Sequence, residues 1–388
     1  MQETPTILSL ISSEGYYGAE NMLVTLMQGL SGLACRCVVA VFADSRAPHI
    51  EVGEQARKRG LVVETVACDG KVDWGAVTQI RRLLVKHRVD ILNPHGYKAD
   101  LYAYVAAWPR RTPLVATIHN WPSKLWRMRL YATLDKLMLR RFDKVIGVSD
   151  FATDLLRRSG IPAEKLSTIY NGVELECFKE ALSTLRGKIA DTGQTLVGFV
   201  GRLVPDKGGT ILLRAAQQVL AVHPDIMFAF VGEGPARTEW EGLAARLGIA
   251  RKVIFAGARD DMPGVYASFD LVALPSIAES MPMCLLEAMA AGKPLIATRV
   301  GDVPRLIVSE QSGMMVEPGD VKGLASAILR VLQDRALASR LGANGRAHVA
   351  ESFSAEVMAR SYLSQYEQVL AIRPNRGQRQ VALEASPR

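Results

Sequence analysis

The sequence has few cysteines, no long uncharged run and no excess of glycine or proline. Its five cysteines, Cys35, Cys37, Cys68, Cys177 and Cys284, are odd in number and scattered. That pattern speaks against a disulfide framework and fits reduced thiols. Cys35 and Cys37 alternate within a strand-like segment, which disfavours a metal site there. The longest stretch without a charge, Asn21–Cys35, is about 15 residues and is broken by Gln28, Gly29, Ser31 and Gly32, too short and too polar to span a bilayer as a helix. The start, Met-Gln-Glu-Thr-Pro, runs at once into Thr6–Ile11 without the cationic and apolar regions of a signal peptide, so the cytoplasm is the expected compartment. With 32 glycines and 18 prolines, the chain is neither collagenous nor of low complexity.

What is present is 388 residues, 49% of them hydrophobic, with 47 Lys+Arg against 39 Asp+Glu. That length is enough for two packed cores. Apolar runs of strand length recur at Thr6–Ile11, Cys35–Phe42, Val62–Ala67, Asp90–Asn93, Leu114–Ile118 and Lys144–Val148, with helical-period segments between them. The alternation then restarts, with strands expected at Thr195–Val200, Ile226–Val231, Val253–Phe255, Leu271–Leu274, Leu295–Thr298 and Met314–Val316. The fold class is therefore α/β, two doubly wound Rossmann-like domains in series, each a parallel sheet covered on both faces. Turn residues at Tyr170-Asn-Gly-Val173 and the polar stretch Glu174–Gly193 set the expected boundary near residue 180, giving domains 1–180 and 181–352. An amphipathic helix is expected over 353–372 and a disordered tail over 373–388.

Open parallel sheets bind ligands beyond the carboxyl ends of their strands, so the strand-to-helix loops are where chemistry is expected. The first, Gly15-Tyr-Tyr-Gly18-Ala-Glu20, offers backbone N–H groups to an anion but lacks the spacing of a dinucleotide loop, so a structural turn competes with a binding loop. The second, Gly201-Arg202-Leu-Val-Pro-Asp-Lys207-Gly208-Gly209, places a guanidinium and an ammonium where a diphosphate can be held; solvated surface charges are the competing account. In the third, Pro275–Gly292, Glu279 lies on the loop at the strand's end and Glu287 lies within a helix among apolar neighbours, where it needs a hydrogen-bonding partner. A ligand hydroxyl pair and a structural salt bridge both satisfy that need.

Together the Glu279/Glu287 pair, the Gly201-Arg202-Leu loop with Lys207-Gly208 and the Asn171-Gly172-Val173 turn resemble the retaining glycosyltransferases of family 4, the group 1 glycosyltransferases, with the GT-B fold. The resemblance runs from Gly18-Ala-Glu20 to the last helix. It implies two Rossmann-like domains facing across a cleft, an N-terminal acceptor-binding one and a C-terminal one for the nucleotide sugar, with the 353–372 helix crossing back to the first. It implies that Glu279 contacts the donor sugar, Glu287 the ribose hydroxyls, and Arg202 and Lys207 the diphosphate, with Gly18, Gly201, Ser280 and Met281 lining the donor site. His119, after the strand Leu114–Ile118, is the candidate that orients the donor sugar; a structural hydrogen-bonding role is its competing reading. Tyr17, His95 and Asn171 are acceptor-side candidates. Two departures bear on sugar preference: Tyr17-Gly18 stands where many members have paired glycines, and Ser280-Met281-Pro282 follows the first glutamate.

The implied reaction moves a sugar from a nucleotide-diphosphate sugar, uridine being the family prior, to a lipid-linked or envelope glycan, with no cofactor and no metal. A sugar-nucleotide epimerase of similar fold and a non-catalytic sugar-nucleotide-binding subunit are the alternatives. Between Lys124 and Lys144, seven cations are interleaved with Trp121, Trp126, Leu130, Tyr131, Leu134, Leu137, Met138 and Phe142. That composition fits either a basic helix lying on an anionic membrane, as a peripheral contact through residues 124–144, or an ordinary helix covering the first sheet. No nucleic-acid-binding motif accompanies it, so nucleic acid is not an expected partner.

Overall fold

The computed structural model describes residues 4–13, 15–44, 50–70, 73–108, 112–119, 136–187 and 193–372. They form two parallel sheets. The first contains β1 (Thr6–Ile11), β2 (Arg36–Ala43), β3 (Val62–Ala67), β4 (Ile91–His95), β5 (Val115–Ile118), β6 (Lys144–Gly147) and β7 (Leu166–Thr168), in the order β3-β2-β1-β4-β5-β6-β7. The second contains β8 (Leu196–Val200), β9 (Met227–Val231), β10 (Val253–Gly257), β11 (Leu271–Leu274), β12 (Leu295–Thr298) and β13 (Met314–Val316), in the order β10-β9-β8-β11-β12-β13. Every strand of β1, β8 and β11 is buried along its length, because helices cover both faces of each sheet. The edge strand β7 was not among the expected ones. Its Leu-Ser-Thr is three residues long and only half-buried, so it carries no apolar run.

Strand order reverses where β1 pairs with both β2 and β4, and again where β8 pairs with both β9 and β11. At such a switch point the loops leaving the two central strands part to opposite faces, which opens a ligand-sized recess. The loops that leave β1, β4, β8 and β11 are the ones carrying Gly15–Glu20, Gly96, Gly201–Gly209 and Pro275–Pro282.

The chain divides into two compact units, Met1–Asn171 with Ala355–Arg388, and Gly172–Ser354. The division falls ahead of residue 180 for a physical reason. The Val173 N–H donates to the Phe353 carbonyl at 2.9 Å, Phe178 packs edge-on against Tyr266 at 5.9 Å, and Arg186 reaches Asp270 at 2.5 Å, so the polar stretch after Asn171 is tied to the second sheet. The helix Ala355–Ala371 packs in the first unit against the helix Gly18–Gly32. Its Met358, Tyr362, Tyr366 and Val369 are buried there.

No described helix is long and apolar enough to cross a membrane. Of the basic segment, residues 120–135, with Lys124, Arg127 and Arg129, lie outside the described residues. In the part that is described, Met138, Leu139 and Phe142 belong to the core of the first unit and Leu137 is exposed. There the buried apolar side chains pack into the first unit's core.

Candidate active site

The second unit gathers its chemistry at the β8/β11 switch point. After β8, Gly201 opens a loop whose short 3-10 turn, Pro205–Lys207, ends in Gly208 at φ 71°, a left-handed conformation. A side chain at Gly208 is excluded twice over, by that φ and by the Pro275 carbonyl, which occupies the place of a Cβ. The close approach lets the Ile277 N–H donate to the Asp206 carbonyl at 2.8 Å, locking the two loops together. The β12 side completes the clamp: Gly301 packs on the Glu279 carbonyl, the Asp302 N–H donates to Ser280 O at 3.2 Å, and the Thr298 hydroxyl donates to Ser276 O.

These backbone contacts aim the functional side chains. Lys207 Nζ lies 2.6 Å from Glu279 Oε1, and the Ser276 hydroxyl donates to the same oxygen at 2.7 Å. The Glu279 side chain is only 7% exposed and that of Lys207 23%, so the pair is shielded from most of the solvent. Pro282 caps the helix Met283–Ala290, whose fifth residue is the buried Glu287. The Tyr266 hydroxyl lies 2.9 Å from Glu287 Oε2 and 3.0 Å from the Cys284 carbonyl. Burial, with the Glu287 charge adding, raises the Tyr266 phenol well above its ordinary range, so it stays a proton donor. Burial also lifts the Cys284 thiol to about 12; Lys207 opposes this, while Glu279 and Glu287 reinforce it. The thiol is thus held protonated at neutral pH, and four groups separated by up to 80 positions in sequence share one electrostatic neighbourhood. Arg202 is exposed on the Gly201 loop, and Met281 is buried beside Pro282.

In the first unit, Tyr17 caps the helix Gly18–Gly32, with Tyr17 and Gly18 exposed. Buried Glu20 accepts the Tyr17 N–H at 3.0 Å and the Ser13 hydroxyl at 2.9 Å, so it holds the loop closed on itself. His119 follows β5 and is half-buried; His95 ends β4 and is 3% exposed. Their rings lie with His95 Nδ1 3.1 Å from His119 Nε2. Burial holds His119 at about 4 and, with the His119 charge adding, keeps His95 well below its ordinary value, so both are neutral at pH 7. Asn171 is buried at the end of this unit.

The family description "Glycosyl transferases group 1" matches residues 184–348, and "Glycosyltransferase Family 4" matches residues 16–177. The chain belongs to these glycosyltransferases. It is 27% identical over 286 residues to the UDP-Gal:alpha-D-GlcNAc-diphosphoundecaprenol alpha-1,3-galactosyltransferase of Escherichia coli, covering 68% of this chain and 72% of that protein. It is 37% identical over 196 residues to the D-inositol 3-phosphate glycosyltransferase of Corynebacterium jeikeium, covering 48% of this chain and 46% of that one, so this match spans less than half of the relative. Among solved structures, Anabaena HepE in complex with UDP-glucose superimposes with a TM-score of 0.82 at 25% identity, over 95% of this chain and all of that one. The two parallel sheets are those of the GT-B glycosyltransferases.

In this glycosyltransferase the structure brings together Lys207, Glu279 and Glu287, with Ser280 and Met281 on the same loop and Gly201 and Arg202 on the adjoining one. It also brings His95 and His119 together, with His95 buried. Sequence reasoning missed Ser276, Tyr266 and Asn93, and it missed Tyr362 and Tyr366, which reach Thr117 of β5 and Asn93 of β4 from the C-terminal helix. A tyrosine 21 positions from Glu287, or one 273 positions from Asn93, leaves no local sequence signal.

Proposed function

We propose that this glycosyltransferase moves a sugar from a nucleotide-diphosphate sugar, with a uridine nucleotide as first candidate, to a lipid-linked or envelope-polysaccharide acceptor, retaining the anomeric configuration. The observation that carries the reading is the shielded Lys207–Glu279 pair beside buried Glu287 at the β8/β11 switch point. The diphosphate takes Lys207 and the exposed Arg202 as its cations, the sugar takes Glu279, and the ribose hydroxyls take Glu287. HepE in complex with UDP-glucose and the Escherichia coli relative's lipid diphosphate acceptor support this choice of donor and acceptor.

As the anomeric C–O bond breaks, negative charge grows on the departing phosphate, and preorganised cations stabilise that charge, a task a metal ion performs elsewhere. The acceptor oxygen bonds to the anomeric carbon from the face the phosphate leaves, and the acceptor's proton passes to a phosphate oxygen. His119 orients the sugar. A peripheral contact through residues 124–144 would hold the enzyme beside a membrane-bound acceptor.

Donor breakdown tests the reading. The protein is incubated with a panel of uridine and guanosine diphosphate sugars without acceptor, and nucleotide diphosphate release is followed. Thermal shift on the same panel finds the donor, since ligand at about 100 times its Kd stabilises the fold by about 2.7 kcal/mol. Slow release from one sugar nucleotide, lost in Lys207→Ala and Glu279→Ala, is the expected result. Release at the wild-type rate in both variants, or an isomeric sugar nucleotide as sole product, overturns it.

A further inference from the structure

Beneath His119 runs a chain of buried polar groups whose hydrogen-bond direction is fixed from one end. The fully buried Asn93 amide places Nδ2 2.5 Å from the Val115 carbonyl oxygen and 3.0 Å from Thr117 Oγ1. A carbonyl only accepts, so the amide NH2 must face Val115 and Oδ1 must face the other way. Oδ1 lies 3.0 Å from His95 Nε2 and 3.1 Å from the Tyr366 hydroxyl, which donates to it. An amide oxygen also only accepts, so His95 carries its hydrogen on Nε2. His95 is 3% exposed, and none of its hydrogen-bond partners carries a charge that would hold a second proton on it. Its Nδ1 is therefore a lone pair, and the contact at 3.1 Å requires His119 Nε2 to donate.

We propose that Asn93 and His95 are positioning residues that hold His119 as the neutral tautomer with its hydrogen on Nε2, leaving Nδ1 to accept a hydrogen bond from a ligand hydroxyl. The tautomer follows from the buried chain alone; that the hydroxyl belongs to the donor sugar rests on the function proposed above. A free sugar hydroxyl satisfies a bare Nδ1. An O-methyl or deoxy sugar cannot, and neither can a phosphate or carboxylate oxygen. The site thus selects for an unsubstituted hydroxyl at one position of its ligand. Tyr362 and Tyr366 brace the chain from the C-terminal helix, Tyr362 through Thr117 at 3.3 Å.

The test uses the full chain with 15N-labelled histidine at pH 7. With six histidines in the sequence, the His119 signals are identified by their loss in His119→Gln. The expected spectrum has His119 protonated on Nε2 alone. In His95→Leu the His119 signals move to a tautomer mixture and kcat falls about tenfold, the worth of one hydrogen bond to the ligand. His95→Gln, whose amide oxygen can accept from Nε2, restores both. Wild-type protein with His119 protonated on Nδ1, or on both nitrogens, overturns the proposal even if His95→Leu fails to fold. The expected spectrum together with wild-type turnover in His119→Gln would leave the tautomer standing and remove His119 from the donor sugar.

Discussion

The Lys207–Glu279 contact predicts a coupling that can be measured apart from catalysis. Lys207→Met takes away the ammonium and leaves a carboxylate that is 7% exposed and held by Ser276 through one remaining hydrogen bond. Removing one partner of a fully buried pair costs about 3–5 kcal/mol. Lys207 keeps 23% of its surface in water and Ser276 still donates, so the cost here is about 2–3 kcal/mol. Glu279→Gln made in the Lys207→Met background removes the stranded charge and keeps an oxygen for Ser276, so it recovers most of that loss. Urea titrations of the wild type, the two single variants and the double variant give the cycle, with an expected coupling of about 1.5–2.5 kcal/mol. Transfer activity follows a different pattern. It falls about a hundredfold or more in Lys207→Met and is not recovered in the double variant, because the phosphate has lost its cation. Single-variant losses that add to within about 0.5 kcal/mol would refute the reasoning, since a 2.6 Å contact without coupling stabilises nothing.

Three further outcomes can be measured. Tyr266→Phe removes the donor to Glu287 and costs about 1–3 kcal/mol, with weaker nucleotide binding by calorimetry; unchanged stability would mean the hydroxyl is dispensable. The His95–His119 pair makes stability depend on pH. His119 is held at about 4 when folded and near 6.5 when unfolded, so the unfolded chain binds more protons between those values. Stability is therefore full above about 6.5 and falls as acid is added towards 4, by at most about 1.4 kcal/mol per pH unit for each such histidine; urea midpoints that stay level from neutrality to about pH 5 would contradict this. Finally, sedimentation with anionic vesicles tests the basic segment. Binding that exceeds binding to neutral vesicles and weakens when Lys124, Arg127 and Arg129 become Ser is expected, each nearby cation contributing about 1 kcal/mol.

Much of the fold was legible because parallel strands covered on both faces leave largely apolar runs, and twelve of the thirteen strands overlap segments expected from the sequence. β7 escaped because an edge strand needs little apolar surface. The division at Asn171 falls within the Tyr170-Asn-Gly-Val173 turn that the sequence marks, and the pairing of Val173 with Phe353 places the polar stretch after it in the second unit. Of the candidate site, the glycines and the charged residues were readable, since two cations among glycines in one strand-to-helix loop and a glutamate set among Cys284, Leu285 and Leu286 are unusual locally. Their partners were not readable.

By itself the sequence determined the α/β class, the two sheets, the loops that carry chemistry and the family, because periodicity and short motifs are local properties of the chain. Only the tertiary structure decided that Lys207 faces Glu279, that Tyr266 faces Glu287, and that His95 supports His119. Each of these depends on loops or strands far apart in the chain, and on burial that fixes which atom donates and which accepts.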